Sequence, residues 1–398
     1  MELCDEYIHE LIQLIPELND FFHLPKYKHL RPKYTNTLTT DFQKKERKLI
    51  RKYHTLLKAK RDKTFYDKIF YDDLQLMKKE SRYLSLDHVP IDSLNNFPLD
   101  YLSSLQGETD YEFSDKSSYL DYLNRFKGIP AMTTTIIDNM KQGIRYKDTL
   151  PRMIVLDLRD QYQACLESDI TQLSIPKFIT KEATKAIQTY LLPSVTKLKE
   201  FLETEYLCHC STKLGLYSIT GGLDIYRGLL QEQTIQGLTP KDVYRLGLRE
   251  VDRITKKLHE LRKRMKFRGS LQEFYKHYNQ PFQSGDQVLE KSKKIQKEIY
   301  RTIYKRYFDG SLRESDLASI QRVSDKKSRM YAFYIGTKRR GTYYVNTNRP
   351  ETLNQHELMT LTLHETIPGH HLQLMTHNRS KKLPLYVQRM NNTGFVEG

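Results

Sequence analysis

Three features are lacking in this sequence: long apolar runs, regularly spaced cysteines and a secretory leader. The 398 residues include only four cysteines, and their irregular spacing excludes a disulfide scaffold and suits a reducing compartment. No run approaches the roughly 18 apolar residues that mark a membrane span. The acidic start, residues 1–6, has neither a charged n-region nor an apolar h-region. We therefore expect an intracellular, cytoplasmic protein with no signal peptide, no transmembrane segment and no membrane partner.

Apolar residues are also scarce, at 38% of the chain with a mean hydropathy of −0.67. They nevertheless recur at helical spacing over most of the sequence, which indicates a folded helical protein rather than a disordered one. No internal repeat or low-complexity linker divides the chain. The pattern predicts a single, mostly helical domain over residues 1–398.

Basic residues are in excess, giving a formal net charge of +16. The densest basic stretch, Lys44–Lys63, carries apolar residues at helical spacing and predicts an amphipathic helix with a solvated basic face. Elsewhere basic residues alternate with acids, and no nucleic-acid-binding signature is present. We keep nucleic-acid binding only as a lesser alternative, which a steep loss of affinity with salt would reveal.

Two runs rich in β-forming residues, 331–335 and 342–345, surround a loop with a glycine at each end. They predict a β-hairpin over residues 331–346. The strand at 343–346 could offer a free edge to an extended peptide. The alternative is an ordinary core hairpin in which the tyrosines are packing residues.

The segment from His364 to His371 reads HETIPGHH, and Glu397 follows later. One class of zinc hydrolase combines a His-Glu pair, another histidine and a later carboxylate. Two imidazoles and the carboxylate hold the metal, while the glutamate beside the first histidine activates water. Bare His-Glu pairs also occur at 9–10, 259–260 and 356–357, without these partners.

The spacing of the histidines is unusual, because Pro368 occupies the i+4 position that the common H-E-x-x-H arrangement gives to its second histidine. On an unbroken helix His370 and His371 would lie roughly 9–10.5 Å along the axis from His364, too far to share a metal. Pro368 and Gly369 predict an interruption. If two residues bulge out, His370 takes the i+4 place, so we favour His370 and leave His371 open.

These residues predict an interrupted metal-binding helix over residues 350–378. The alternative interpretation is that His370 and His371 are surface residues at an ordinary helix break.

Wider sequence features resemble a known family. HETIPGHHLQ followed by FVEG resembles the signature HEAxPGHHLQ…EGWALY of the mostly bacterial family called domain of unknown function 885. Three further segments of the chain also resemble segments of this family: residues 119–152, 238–247 and 341–347. The likeness covers most of residues 30–398. Residues 208–210 and 217–222 differ from the usual family pattern.

The resemblance implies a mainly α fold, a large zincin-like helical domain with a small β-hairpin beside the metal helix. It implies that His364, His370 and Glu397 bind one Zn²⁺ per chain, and that Glu365 is the general base of a metallopeptidase acting on a peptide substrate.

Two readings follow from the position of Glu397, after which family members continue with a long helical segment. On the first, the protein is a zinc-dependent peptidase. On the second, the domain is incomplete at its C-terminus, and the protein is a catalytically inactive relative that either is a binding or structural remnant or needs a second chain, a C-terminal companion segment. The substrate, the cleavage position and the oligomeric state do not follow from the sequence.

Overall fold

The computed structural model describes residues 2–234, 237–308, 312–323, 330–336, 341–380, 382–388 and 396–397. The chain is mainly helical, as predicted. The first ten helices are α1 (Leu3–Leu14), α2 (Asn19–Phe22), α3 (Thr40–Ala59), α4 (Phe65–Glu80), α5 (Leu99–Leu105), α6 (Lys116–Arg125), α7 (Ile129–Tyr146), α8 (Arg152–Glu167), α9 (Thr180–Ala186) and α10 (Leu192–Phe201).

The remaining helices are α11 (Gly222–Gln233), α12 (Pro240–Arg264), α13 (Leu271–Tyr278), α14 (Gly285–Ile299), α15 (Lys305–Tyr307), α16 (Gln355–Glu365), α17 (His370–Arg379) and α18 (Leu385–Gln388). The described residues also form three strands: β1 (Ser319–Arg322), β2 (Ala332–Gly336) and β3 (Gly341–Val345). No helix among the described residues combines the length and apolar character needed to span a bilayer.

Contacts divide the chain into two compact units, Met1–Gly228 with Ser380–Met390, and Leu229–Arg379 with Asn391–Gly398. The first unit contains two apolar cores. One is built around α7, α8 and α10, and the other around α1, α3 and α4. The second unit has one core, in which α14 packs with the strands and with α16. The single domain expected from the sequence stays a prediction.

The sheet lies in the second unit and has the order β1-β3-β2. β2 and β3 form the predicted hairpin, with Ala332 opposite Val345 in antiparallel register, and the loop 337–340 lies outside the described residues. β1, which the sequence pattern did not reveal, pairs with β3 in parallel. Both edges of β3 are therefore occupied, so the free-edge interpretation is wrong for this strand. Tyr343 is fully buried, as the core-hairpin interpretation requires.

Candidate metal centre

The segment carrying the candidate ligands begins at a capped helix. The side chain of Asn354 accepts hydrogen bonds of 3.0 Å from the backbone N–H groups of His356 and Glu357, which fixes the start of α16. α16 ends at Glu365, and α17 begins at His370. Residues 366–369 between them form no regular helix.

Backbone hydrogen bonds show what happens in this break. The N–H of Gly369 donates to the carbonyl of Leu363, and the N–H of Leu372 donates to that of Thr366, each at 3.2 Å. Each bond spans six residues, whereas a regular α-helix spans four. Two extra residues are therefore accommodated between His364 and His370, and the second histidine lies on the same side as the first.

Gly369 makes this path sterically feasible. A Cβ atom at this position would collide with the carbonyl oxygen of His364. The close approach of two backbone segments is a situation that only glycine permits. The glycine and the preceding proline thus explain why the chain bends where it does.

Three predicted site residues come together in the second unit. Glu397 has one carboxylate oxygen 3.2 Å from Nε2 of His364 and the other 3.6 Å from Nε2 of His370. The two imidazole rings lie 4.4 Å apart between centroids. One donor atom from each residue lies within 4.8 Å of the others, the only such group of three among the described residues.

The cluster is accessible from solvent. The side chains of His364 and Glu397 are 42% and 50% exposed, whereas that of His370 is 13% exposed. Burial lowers the pKa of His370, a change that the nearby Glu397 opposes and His364 reinforces. His370 is therefore held toward its neutral form, which can donate a nitrogen lone pair to a metal.

Glu365 lies beside the cluster and differs from Glu397 in its surroundings. It is buried, and its Oε2 atom has no hydrogen-bond partner among the described residues. Burial, and secondarily the charge of Glu397, raise the pKa of Glu365 to about 7. A buried carboxylate oxygen without a partner is costly, and a catalytic role or a bound ion is one explanation for such an atom.

His371 has a different environment from its neighbour. Its Nδ1 lies 2.9 Å from the hydroxyl of Tyr334, and its Nε2 lies 2.7 Å from the backbone carbonyl of Asp316. A carbonyl can only accept, so Nε2 donates the hydrogen and Nδ1 accepts from the tyrosine. Both ring nitrogens are engaged, and His371 fastens α17 to β2 and to the turn at Asp316.

Sequence reasoning missed these supporting residues. Asp316 also pairs with Arg379 at the end of α17, at 3.0 Å. A hydrogen bond from the backbone of Arg313, followed by the contact with Arg379, lowers the pKa of Asp316 against the opposing effect of burial. Of these residues, only Tyr334 could have been suspected from the sequence, since it lies within the predicted hairpin. The others could not, because the contacts join positions far apart in sequence.

Comparisons with known proteins agree on the family and the fold. The model of the family described as "Bacterial protein of unknown function (DUF885)" matches residues 27–398. A search of curated proteins found no match.

Two solved structures resemble the chain. The structure of a candidate lipoprotein from Colwellia psychrerythraea has a TM-score of 0.81 at 15% identity, covering 99% of this chain and 75% of that one. A candidate lipoprotein of unknown function from Shewanella oneidensis has a TM-score of 0.56 at 14% identity, covering 97% and 73%. At these identities the likeness concerns the fold alone.

Proposed function

The chain belongs to the bacterial family of unknown function DUF885, and we propose that it is a zinc-dependent peptidase in which Glu365 is the general base. One observation carries the proposal: donor atoms of His364, His370 and Glu397 lie within 4.8 Å of one another, next to a buried carboxylate without a hydrogen-bond partner among the described residues.

The donor set suits zinc. Two imidazole nitrogens and one carboxylate oxygen form a common ligand set of catalytic zinc sites, which leave a further position open. The unpartnered oxygen of Glu365 supports a site that a bound group completes. When bound, zinc would supply a Lewis acid that lowers the pKa of a water molecule toward about 7 and polarises a peptide carbonyl.

The chain's own residues would then divide the work. His364, His370 and Glu397 hold the ion. Glu365 follows the first histidine on α16, and its free Oε2 can accept a proton from water and later deliver it to the amine that leaves the cleaved peptide. His371 is not a proton donor in this scheme, because its Nε2–H donates a hydrogen bond to the backbone carbonyl of Asp316.

Replacing Glu365 by Gln tests this role. We expect peptide hydrolysis to fall by a factor of about 10²–10⁴, because a positioned general base contributes an effect of this size. Zinc content should stay unchanged, since Glu365 is not one of the three donors. The assay would follow cleavage of a mixed peptide library by mass spectrometry, together with metal content.

Glu357→Gln is the matched control, because Glu357 lies on the same helix and is exposed. This variant should retain activity. Equal turnover in wild type and Glu365→Gln would contradict the mechanism. A wild type that binds zinc but cleaves no peptide in the library would instead favour the alternative hypothesis of a catalytically inactive binding or structural remnant.

A further inference from the structure

A cavity of about 310 Å³ in the first unit has an unusual lining. Four of its six lining residues are cations and none is an acid: Arg47, Arg51, Lys78, Ser81, Arg82 and Leu84. The proposed peptidase chemistry uses none of these residues. The sequence indicates a basic helix in this region but not that its cations share a cavity with Lys78 and Arg82.

The packing of α3 against α4 explains why the charges converge. Arg47 and Arg51 are four residues apart on α3, so their side chains project from one face. Lys78 lies in the last turn of α4, and Arg82 lies two residues beyond the end of that helix at Glu80. The two helices are consecutive and pack against each other in one core, which brings the two pairs of cations to the same cavity.

The charges in this cavity are poorly balanced. Arg47 lies 4.0 Å from Asp87, at the limit of an ion pair. In the described part of the chain, Arg51, Lys78 and Arg82 form no ion pair. Lys78 also acts on His54, where burial first and the charges of Lys78 and Lys58 next lower the pKa. Neighbouring like charges repel, and an anion among them would be stabilised by all four.

Arginine favours one class of anion. Its planar guanidinium group can donate two parallel hydrogen bonds to a phosphate group, and lysine adds a point charge. The hydroxyl of Ser81 lines the same cavity, but its hydrogen is donated to the backbone carbonyl of Lys78 at 2.9 Å, so it adds no donor for an anion. The combination of three arginines and one lysine suits phosphate.

A second cavity of about 840 Å³ adjoins the first and shares Arg47, Arg82 and Leu84 with it. Its other lining residues are mostly polar in type and include three carboxylates, those of Asp87, Asp148 and Asp224. Carboxylates repel phosphate but accept hydrogen bonds from hydroxyl and amine groups. Volumes in this range are typical of small-molecule sites.

We propose that the two adjoining cavities bind a small phosphate ester. Its phosphate lies among Arg51, Lys78 and Arg82, and its hydroxyl- or amine-bearing part lies in the larger cavity near Asp87. A nucleic-acid surface would extend over the exposed lysines of α3 and would not require concave, carboxylate-lined walls. The site is independent of the proposed peptidase activity.

Calorimetric titration of the 398-residue chain with glycerol 3-phosphate, at constant ionic strength, tests the proposal. We expect saturable binding of one molecule per chain, and inorganic phosphate should bind more weakly because it leaves the larger cavity unused. In the double variant Arg51→Gln, Arg82→Gln the affinity should fall by about tenfold or more, as expected for the loss of hydrogen bonds to charged groups. Both arginines are exposed, so the variant should keep the thermal unfolding midpoint of the wild type.

The matched control is Lys48→Gln, Lys68→Gln, which removes the same amount of charge at exposed positions on α3 and α4 that line neither cavity. It should bind like the wild type. Absence of saturable binding, or equal weakening in both double variants, would overturn the proposal. Inorganic phosphate binding as tightly as the ester would overturn the role of the larger cavity. Tight binding of a single-stranded oligonucleotide, weakened by both double variants, would replace the proposal by a nucleic-acid surface.

Discussion

At Gly369 the chain passes so close to the carbonyl of His364 that no side chain fits. The geometry of the candidate metal centre therefore depends on a residue that contributes no donor atom. His364 and His370 are brought to the same side only because the backbone accommodates two extra residues at this point.

Replacing Gly369 by Ala should lower the free energy of unfolding by about 1–3 kcal/mol, the range for overpacking a filled site. It should also reduce zinc affinity, because the break must shift to make room. Denaturant unfolding and metal titration measure the two effects. Gly247→Ala is the control, since a Cβ there meets nothing within 4 Å in α12 and alanine favours a helix. A destabilisation no larger than in the control would contradict the account of the break.

Adjacent histidines should respond differently to substitution. His370→Ala should lose zinc and leave the metal-free protein nearly as stable as before. His371→Ala should keep zinc but lose about 1–3 kcal/mol of stability, because Tyr334 and the Asp316 carbonyl lose their partner. Zinc content and denaturant unfolding of both variants distinguish these results. If His371→Ala lost zinc and His370→Ala kept it, the metal ligand would be His371 and the assignment of His370 would be wrong.

At the scale of single elements, helix starts are fixed by side chains that satisfy the first backbone N–H groups. At the start of α4, Thr64 and Asp67 form a capping box. The same carboxylate also accepts a bond of 2.5 Å from Lys60. Burial alone would raise the pKa of Asp67, but the hydrogen bonds from Lys60 and Thr64 outweigh burial and hold the pKa below its usual value.

Asp67→Asn should therefore lower the free energy of unfolding at neutral pH by about 1.5–3 kcal/mol, typical of hydrogen bonds to a charged group. Because the pKa is lower in the folded than in the unfolded state, the carboxylate stabilises the protein above the unfolded value of about 3.9. This contribution is lost as the pH falls through the folded value. The difference in free energy of unfolding between wild type and variant should thus be constant from about pH 5 to 8 and should decrease at lower pH.

Asp242→Asn in the capping box of α12 is the comparison, because the motif is the same but exposed. Its effect should be smaller at every pH. If the difference in free energy of unfolding between wild type and Asp67→Asn did not decrease in acid, the ionised carboxylate would not be what stabilises the start of α4.

Local patterns made some elements predictable. The hairpin followed from two β-rich runs around a glycine-flanked loop. At the start of α12, Thr239 and Pro240 are the residue types typical of an N-cap and a first helical position, and the structure has a capping box there. β1 was not predictable, because its four residues are mostly exposed and its parallel partner lies some twenty residues later. The contacts of His371 were hidden for the same reason, since they join α17 to β2 and to a distant turn.

At the scale of the whole molecule, family and fold are established, and the chemistry is a proposal. Residues 27–398 match the family, and the fold resembles that of a bacterial protein at 15% identity. The first unit is formed largely by helices packed on two apolar cores, and the second unit carries the sheet and the candidate metal centre. The division of the contacts into two units was not visible in the sequence, which has neither an internal repeat nor a low-complexity linker.

The proposed metal centre is best tested by the metal content of the purified 398-residue chain, measured by elemental mass spectrometry beside His364→Ala. We expect about one zinc ion per chain, as for a site of three protein ligands with an open position. The variant should lose this ion, because His364 supplies one of the three donors. Absence of zinc from both proteins, or equal zinc in both, would contradict the assignment of His364, His370 and Glu397 as a metal centre.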